Sequence, residues 1–314
     1  MSAEQTAGGD GGGAVHETMS KCGFIALIGA PNAGKSTLLN RLTGAKLSIV
    51  TPKAQTTRAR VLGILPRGAA QILFVDTPGI FAPKRRLDRA MVAAAWDGAT
   101  EADYVLLLVD AKQGLTSAVR EITGQIAATG RKLALVLNKV DLIDRQKLLP
   151  LTQELAALAE FEQVFMISAA TGDGLEVLLD FCVAKLPEGP HLYPDDELTD
   201  LPDRLLAAEI VREQIFLQTR DEVPYGTTVE TESFKVQKSG VRVEAVIYVT
   251  KPSHKAILIG AKGARIKEIG MRARKELTKV LETKVDLFLR VNERPGWDEE
   301  AARIRATGLN DPKV

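Results

Sequence analysis

Short apolar runs, each closed by polar residues, mark the first half of the chain at 24–28, 72–75, 104–109, 133–137 and 164–167. Between them, stretches at 36–42, 84–97, 117–129, 150–160 and 175–185 read as helices. Runs that are apolar throughout suit strands covered on both faces. Strand–helix alternation therefore predicts an α/β domain over 21–186, doubly wound around a mostly parallel sheet. The pattern breaks at 187–203, where Pro187, Pro190, Pro194 and Pro202 mix with six acids. That composition predicts an extended acidic linker with no packing of its own.

A second pattern follows. Leu206, Ile210 and Leu217 keep helical spacing over 204–219. Strands are predicted at 227–233 and 241–250, and in the latter Val241, Val243, Ala245, Ile247 and Val249 alternate as in a sheet with one covered face. An apolar stretch at 256–259, a Gly-rich turn, a helix over 264–281 and an alternating strand at 285–291 complete a smaller α+β domain over 204–297. Residues 298–314 are expected to be a C-terminal tail, and the glycine-rich 1–20 a disordered one.

The length of 314 residues accommodates both domains, and 45% apolar content supplies both cores. A net charge of +1 excludes a uniformly basic coat, so any nucleic-acid face must be local. Cys22 and Cys182 lack metal-ligand spacing and read as reduced thiols. His16, His191 and His254 form no metal pattern, and the first two fall in segments expected to be flexible. No apolar run approaches the ~18 residues of a membrane span. The N-terminal residues have neither the apolar core of a secretory signal nor the character of a transit peptide.

Gly29-Ala30-Pro31-Asn32-Ala33-Gly34-Lys35-Ser36 matches G-x-x-x-x-G-K-[ST], placed between a strand and the helix opening at Thr37. Backbone N–H groups of such a loop cradle phosphates, helped by the helix N-terminus. Lys35 would reach the β- and γ-phosphates and Ser36 would ligate Mg²⁺. Asp76-Thr77-Pro78-Gly79 closes the next strand, giving a carboxylate for Mg²⁺ and a free N–H at Gly79 for the γ-phosphate. Asn138-Lys139-Val140-Asp141 and Ser168-Ala169 close two more. Strand-end signatures of this kind line a crevice along the carboxyl edge of a parallel sheet. Asp141 can accept two hydrogen bonds from guanine, which adenine cannot offer. Lys139 would lie along the base, and Asn138 would tie the base loop to the phosphate loop.

With these motifs and the stretch Lys53-Ala54-Gln55-Thr56-Thr57-Arg58-Ala59-Arg60, the chain resembles the Era family of GTPases. The resemblance implies a switch threonine that closes over Mg²⁺, assigned to Thr57 with Thr56 as the alternative. Lys35, Thr57 and Gly79 are then the catalytic set, with Ser36, Thr57 and Asp76 around the metal. Ile80 stands where Ras-type enzymes carry a glutamine that orients water. Without that device or an arginine finger (Arg58 and Arg60 are candidates), intrinsic hydrolysis should be slow. In Ras-type enzymes the assisted rate is about 10⁵-fold higher, or ~7 kcal/mol. Asn32 matches a P-loop asparagine that helps bind K⁺ in relatives with an apolar residue here, so K⁺ is a candidate second cation.

Gly260-Ala261-Lys262-Gly263 sits between two helices in the order of a type II KH domain, whose loop clamps about four nucleotides by their backbone. Residues 251–279 hold nine Lys and Arg, among them Arg265 and Lys267, against Glu268 and Glu276. Bases would lie beside Ile257, Ile259 and Ile266, which could equally be core. The combined resemblance covers roughly 21–300. It implies a monomeric cytoplasmic GTPase acting on 16S rRNA near its 3′ end, in rRNA processing and small (30S) subunit biogenesis, with peripheral contact at the inner membrane. Two other readings are a membrane-associated signalling GTPase and an RNA chaperone with a structural nucleotide.

The assignment of Asp141 has a direct consequence. Asp141→Asn should shift preference from guanine to xanthine nucleotides, whose 2-oxo group accepts where guanine donates. Competition binding with GDP and XDP reads this out, and an unchanged preference removes the assignment.

Overall fold

The apolar runs become the strands of a six-stranded sheet, and the polar residues that close them gather along one edge. The computed structural model describes residues 20–310; the expected tail before Ser20 and residues 311–314 lie outside the described residues. The first domain runs β1 (Lys21–Ile28), α1 (Lys35–Thr43), β2 (Val61–Arg67), β3 (Ala70–Asp76), α2 (Arg86–Glu101), β4 (Tyr104–Asp110), α3 (Ser117–Ala128), β5 (Leu133–Asn138), α4 (Leu148–Ala156), β6 (Val164–Met166) and α5 (Leu175–Lys185). The strand order is β2-β3-β1-β4-β5-β6. All neighbours are parallel except β2, which runs antiparallel to β3.

Alternate residues of the buried strands feed two cores. Ile25, Leu27, Phe74 and Leu106 pack with Leu38 and Leu39 of α1 and Leu178 of α5. Ala26, Ile28, Val105 and Leu107 pack on the other face with Ala95, Val119 and Leu155 from α2, α3 and α4. Strand β2 was not anticipated, because Pro66 interrupts its apolar run. A proline is tolerated where the strand is an edge, and β2 is one.

The acidic segment expected at 187–203 holds no helix or strand before Asp203, and it is packed rather than free. Pro187 O accepts from Cys22 N at 3.2 Å, and Leu198 O accepts from Ile64 N at 2.9 Å. The buried Gln71 accepts from Leu192 N at 2.9 Å and Tyr193 N at 3.1 Å, and donates to Tyr193 O at 2.7 Å. At Leu198 the segment thus meets the free edge of β2, a position that otherwise invites pairing with another chain. His191, expected in a flexible stretch, is 2.8 Å from Asp195 and half-buried.

The second domain runs α6 (Asp203–Gln218), β7 (Thr227–Gln237), β8 (Gly240–Val249), α7 (Pro252–Ile259), α8 (Ala264–Val280) and β9 (Val285–Glu293). Its sheet is β7-β8-β9, antiparallel then parallel. The alternating residues Val243, Ala245, Ile247 and Val249 meet Ile210 and Ile215 of α6 and Ile269, Ala273 and Leu277 of α8.

Of the stretch expected as a C-terminal tail, residues 298–310 are instead structured. A 3₁₀ turn at Trp297–Glu299 and a short helix α9 (Ala301–Ala306) place Trp297, Ile304 and Leu309 in one cluster with Leu87, Ala90 and Met91 of α2. Trp297 is fully buried and donates its Nε1–H to Gly226 O at 3.2 Å. Its indole therefore joins the two domains. Trp297→Ala should cost about 3–5 kcal/mol, the usual range for deleting a buried aromatic. Urea unfolding followed by circular dichroism measures this, and a loss under ~1 kcal/mol would show that the indole is not a joint.

Candidate nucleotide site and second-domain loop

Strand β1 ends at Ile28 and α1 opens at Lys35, so the phosphate loop spans the gap between them. Gly34 has φ 97°, and a Cβ there would lie 2.2 Å from Asn138 Nδ2. Gly79 packs so tightly that a Cβ would be 2.8 Å from the Pro31 backbone. Neither position has room for a side chain, so Asn138 can reach the loop at Gly34 and Gly79 can pack on Pro31. Lys35 is buried, and its Nζ donates to Gly29 O at 3.1 Å and Ala30 O at 3.2 Å. Burial pulls its pKa from 10.5 down to about 8, with Asp76 opposing the shift.

Three hydroxyls converge on Asp76 at the end of β3. Its Oδ2 accepts from Ser36 at 2.7 Å and Ser48 at 3.0 Å, with Thr57 at 3.4 Å. Ser36 Oγ and Thr57 Oγ1 are themselves 2.7 Å apart. Asp76 is fully buried, its Oδ1 has no partner, and desolvation raises its pKa. A carboxylate with a spare oxygen beside two hydroxyls fits a hard divalent cation that takes oxygen ligands. Ser48 was not anticipated, and no motif marks it. The hydroxyl in this cluster is that of Thr57; Thr56 lies on the cleft wall.

At the base end, Asn138 donates to Ala33 O at 2.9 Å and accepts from Ala169 N at 3.0 Å. It bridges the phosphate loop and the Ser168-Ala169 turn, where Ser168 Oγ accepts from Thr171 N at 3.2 Å. Lys139 Nζ donates to Asn32 O at 2.6 Å and to Asp110 at 2.7 Å. Asp110 was missed, although it closes the β4 run as Asp76 closes β3. Asp141 stands exposed in the turn Val140–Leu142.

The enclosed part of the cleft measures about 320 Å³. Pro31, Asn32, Gly34, Lys35, Ser36 and Thr37 form one wall, and residues 49–57 with Gly79 face them. Gln113 and Lys139 close one end, and Gln113 was also not anticipated. Asn138, Ser168 and Ala169 are buried and Asp141 is exposed, and none of the four lines this cleft.

Neither arginine-finger candidate is bonded in the cleft. Arg58 is buried, donates to Thr227 O at 2.8 Å, and lies 5.2 Å over the Trp297 ring. Arg60 pairs with Glu101 at 2.9 Å on the surface.

In the second domain, Gly260 (φ 70°), Lys262 (φ 50°) and Gly263 (φ 77°) bend the chain sharply between α7 and α8. Ala261, Lys262, Arg265 and Lys267 are exposed, and Arg265 donates to Ile257 O at 3.1 Å. Arg272, Arg274, Lys275 and Lys279 extend the exposed cationic face along α8. Ile257 opens to solvent, whereas Ile266 packs against the core.

Residues 24–139 match the family described as 50S ribosome-binding GTPase, and 222–297 match the KH domain family. GTPase Era of Brucella suis biovar 1 is 50% identical over 302 residues, 96% of this chain and 97% of its own. GTPase Era of a Bradyrhizobium strain is 49% identical over the whole of both chains. A crystal structure of an Aquifex aeolicus Era variant bound to GDP·AlF₄⁻ superposes with TM-score 0.87 at 42% identity, covering 92% of this chain and 99% of that one. A structure of Era with MgGDPNP and nucleotides 1506–1542 of 16S ribosomal RNA does so with TM-score 0.89 at 42% identity and the same coverage.

With phosphates placed against Lys35 as the loop motif predicts, its depressed pKa predicts pH-dependent nucleotide binding. Bound phosphates favour the ammonium, so binding takes up protons as pH rises through about 8, and affinity falls above it. The sign for folding is the reverse. The cost of the buried ammonium is full below about 8 and is relieved toward 10.5. Calorimetry of GDP binding in buffers of different ionisation enthalpy should show proton uptake near this pH, absent in Lys35→Met. Buffer-independent heats would contradict it.

Proposed function

The chain belongs to the Era family, a GTPase carrying a KH domain, and from that premise we propose that its KH domain holds a single-stranded segment near the 3′ end of 16S rRNA while the GTPase cycle serves small (30S) subunit assembly. One observation carries this reading. The hydroxyl–carboxylate cluster and an exposed cationic G-x-x-G loop stand in one chain, whose solved relative holds both MgGDPNP and 16S ribosomal RNA.

Ser36, Thr57 and Asp76 would hold Mg²⁺, which neutralises charge on the phosphates when bound. Lys35 exchanges its two carbonyl partners for phosphate oxygens. The N–H groups of the phosphate loop and of Gly79 meet the same charge where it grows in the transition state. Asp141, exposed and open to solvent, pairs with the guanine edge, and Lys139 covers the base. Ile80 is buried and has no group to orient water, so intrinsic turnover is slow. Asn32, whose Nδ2 now donates to Pro52 O at 3.3 Å, is the residue that would turn toward K⁺.

On the RNA side the loop binds the sugar-phosphate chain and α8 supplies charge. The working state is a monomer in the cytoplasm. Among the described residues no helix is long and apolar enough to cross a membrane, so any membrane contact is made from the surface.

Two measurements test the RNA reading. Anisotropy with a labelled single-stranded oligonucleotide from the 3′ end of 16S rRNA should give a log–log salt slope near −3, from about four phosphates. A Cβ at Gly263 meets nothing within 4 Å. Gly263→Asp therefore places a carboxylate at the phosphate path without a clash, at a backbone cost of ~1 kcal/mol for a left-handed φ that aspartate tolerates better than most residues, and should weaken RNA binding at least ~10-fold, one charge-assisted contact's worth, with GDP affinity unchanged. Equal RNA binding by wild type and variant would refute the loop's role. Equal RNA affinity with GDP and with GDPNP would refute coupling between the sites.

A further inference from the structure

Between α1 and β2 the chain forms no helix or strand, yet it is held in place by one helix of the other domain. Glu213 of α6 accepts from Val50 N at 3.0 Å and pairs with Lys46 at 2.5 Å. Lys53 Nζ donates to the carbonyls of Phe216 and Thr219, where α6 ends. Arg212 donates through Nη2 to the carbonyl of Thr56, and Glu209 orients it from one turn away, with Nε–Oε1 at 2.8 Å. Residues 46–56 are thus strung along successive turns of α6, and the next residue is Thr57, whose hydroxyl meets Ser36 and Asp76.

Arg212 is the informative member. Its side chain is 1% exposed, and Nη1 has no partner. Its Nε and Nη2 pair with Glu209 and its guanidinium carbon lies 5.3 Å from the Phe216 ring centroid, while Nη2 also reaches across to the first domain. The anchored carbonyl belongs to the residue directly before the switch threonine. None of these α6 contacts reaches Lys35, Gly34 or Asn138, which hold the loop and base ends of the cleft.

We propose that Arg212 is a positioning residue for GTP hydrolysis: by holding the Thr56 carbonyl, the first helix of the RNA-binding domain sets the Thr57 hydroxyl for magnesium. Docking of α6 then governs turnover and the magnesium requirement, and leaves diphosphate affinity alone. The inference rests on Thr57 being the switch threonine, and the controls separate the two.

The test uses the full chain. GTP turnover is measured across a Mg²⁺ titration, with GDP affinity by calorimetry, for Arg212→Met, Arg212→Lys, Lys53→Met and Thr57→Ala. Losing one hydrogen bond from a charged donor should lower kcat for Arg212→Met about tenfold. Its Mg²⁺ midpoint should rise, and its GDP affinity should stay within about twofold of wild type. Arg212→Lys should recover part of the loss, and Lys53→Met should move the same way by less. A purely structural role would not move the Mg²⁺ midpoint. Unchanged kcat and midpoint in Arg212→Met, with both altered in Thr57→Ala, would overturn the proposal. If Thr57→Ala alters neither, the switch assignment fails and the proposal with it. Should Arg212→Met lose GDP binding through misfolding, Lys53→Met and Glu213→Gln decide, and an unmoved midpoint in both overturns it.

Discussion

A carboxylate buried at the end of a central strand must be met by donors or cations, and Asp76 imposes that requirement on its surroundings. Its Oδ2 collects Ser36 from the phosphate loop and Ser48 and Thr57 from the segment before β2, while Oδ1 stays unpaired. Burial raises its pKa, and the nearby Lys35 ammonium holds it down. An unmet charge in a poor dielectric is expensive, so the segments bearing these hydroxyls are drawn to one point. The result is a cluster of one carboxylate and three hydroxyls with a carboxylate oxygen to spare.

The outer segment of that cluster is held from the second domain. Arg58 leaves the cleft to lie over Trp297 and bond Thr227, and Arg212 reaches back to Thr56. Arg85 joins Asp88 to Asp298 across the same boundary. Arg58 Nη1 and Arg212 Nη1 both lack acceptors. Burial lowers the pKa of Arg58 well below its usual value, and Arg212 nearby adds to the effect. Water can satisfy the donors this part of the boundary leaves unpaired, so its polar contacts exchange at lower cost than the apolar cluster around Trp297. The cluster around Asp76 and the second domain are therefore joined through contacts that can be exchanged.

Much of this was legible along the chain. Apolar runs closed by Asp76, Asn138 and Ser168 announced strands whose ends share one edge, because a run buried on both faces has only its termini for polar work. Asp110 carried the same signal and was passed over because no motif surrounds it. The antiparallel β2 was hidden by Pro66, which argues against a strand only when both edges are paired. The prolines of 187–203 predicted an extended path. They carried no word of the buried Gln71, whose amide fastens that path to the first domain.

Local patterns thus determined the elements, the phosphate loop and the paired domains, since each depends on neighbours a few residues away. Contacts between distant segments decided the rest: that Thr57 rather than Thr56 meets Asp76, that Arg58 turns to Trp297, and that the C-terminal stretch is a joint. Two adjacent threonines have the same chemistry and spacing in a linear text. Only the direction in which a folded backbone presents them distinguishes one from the other, and the Thr56 carbonyl is bonded by a helix more than a hundred residues away.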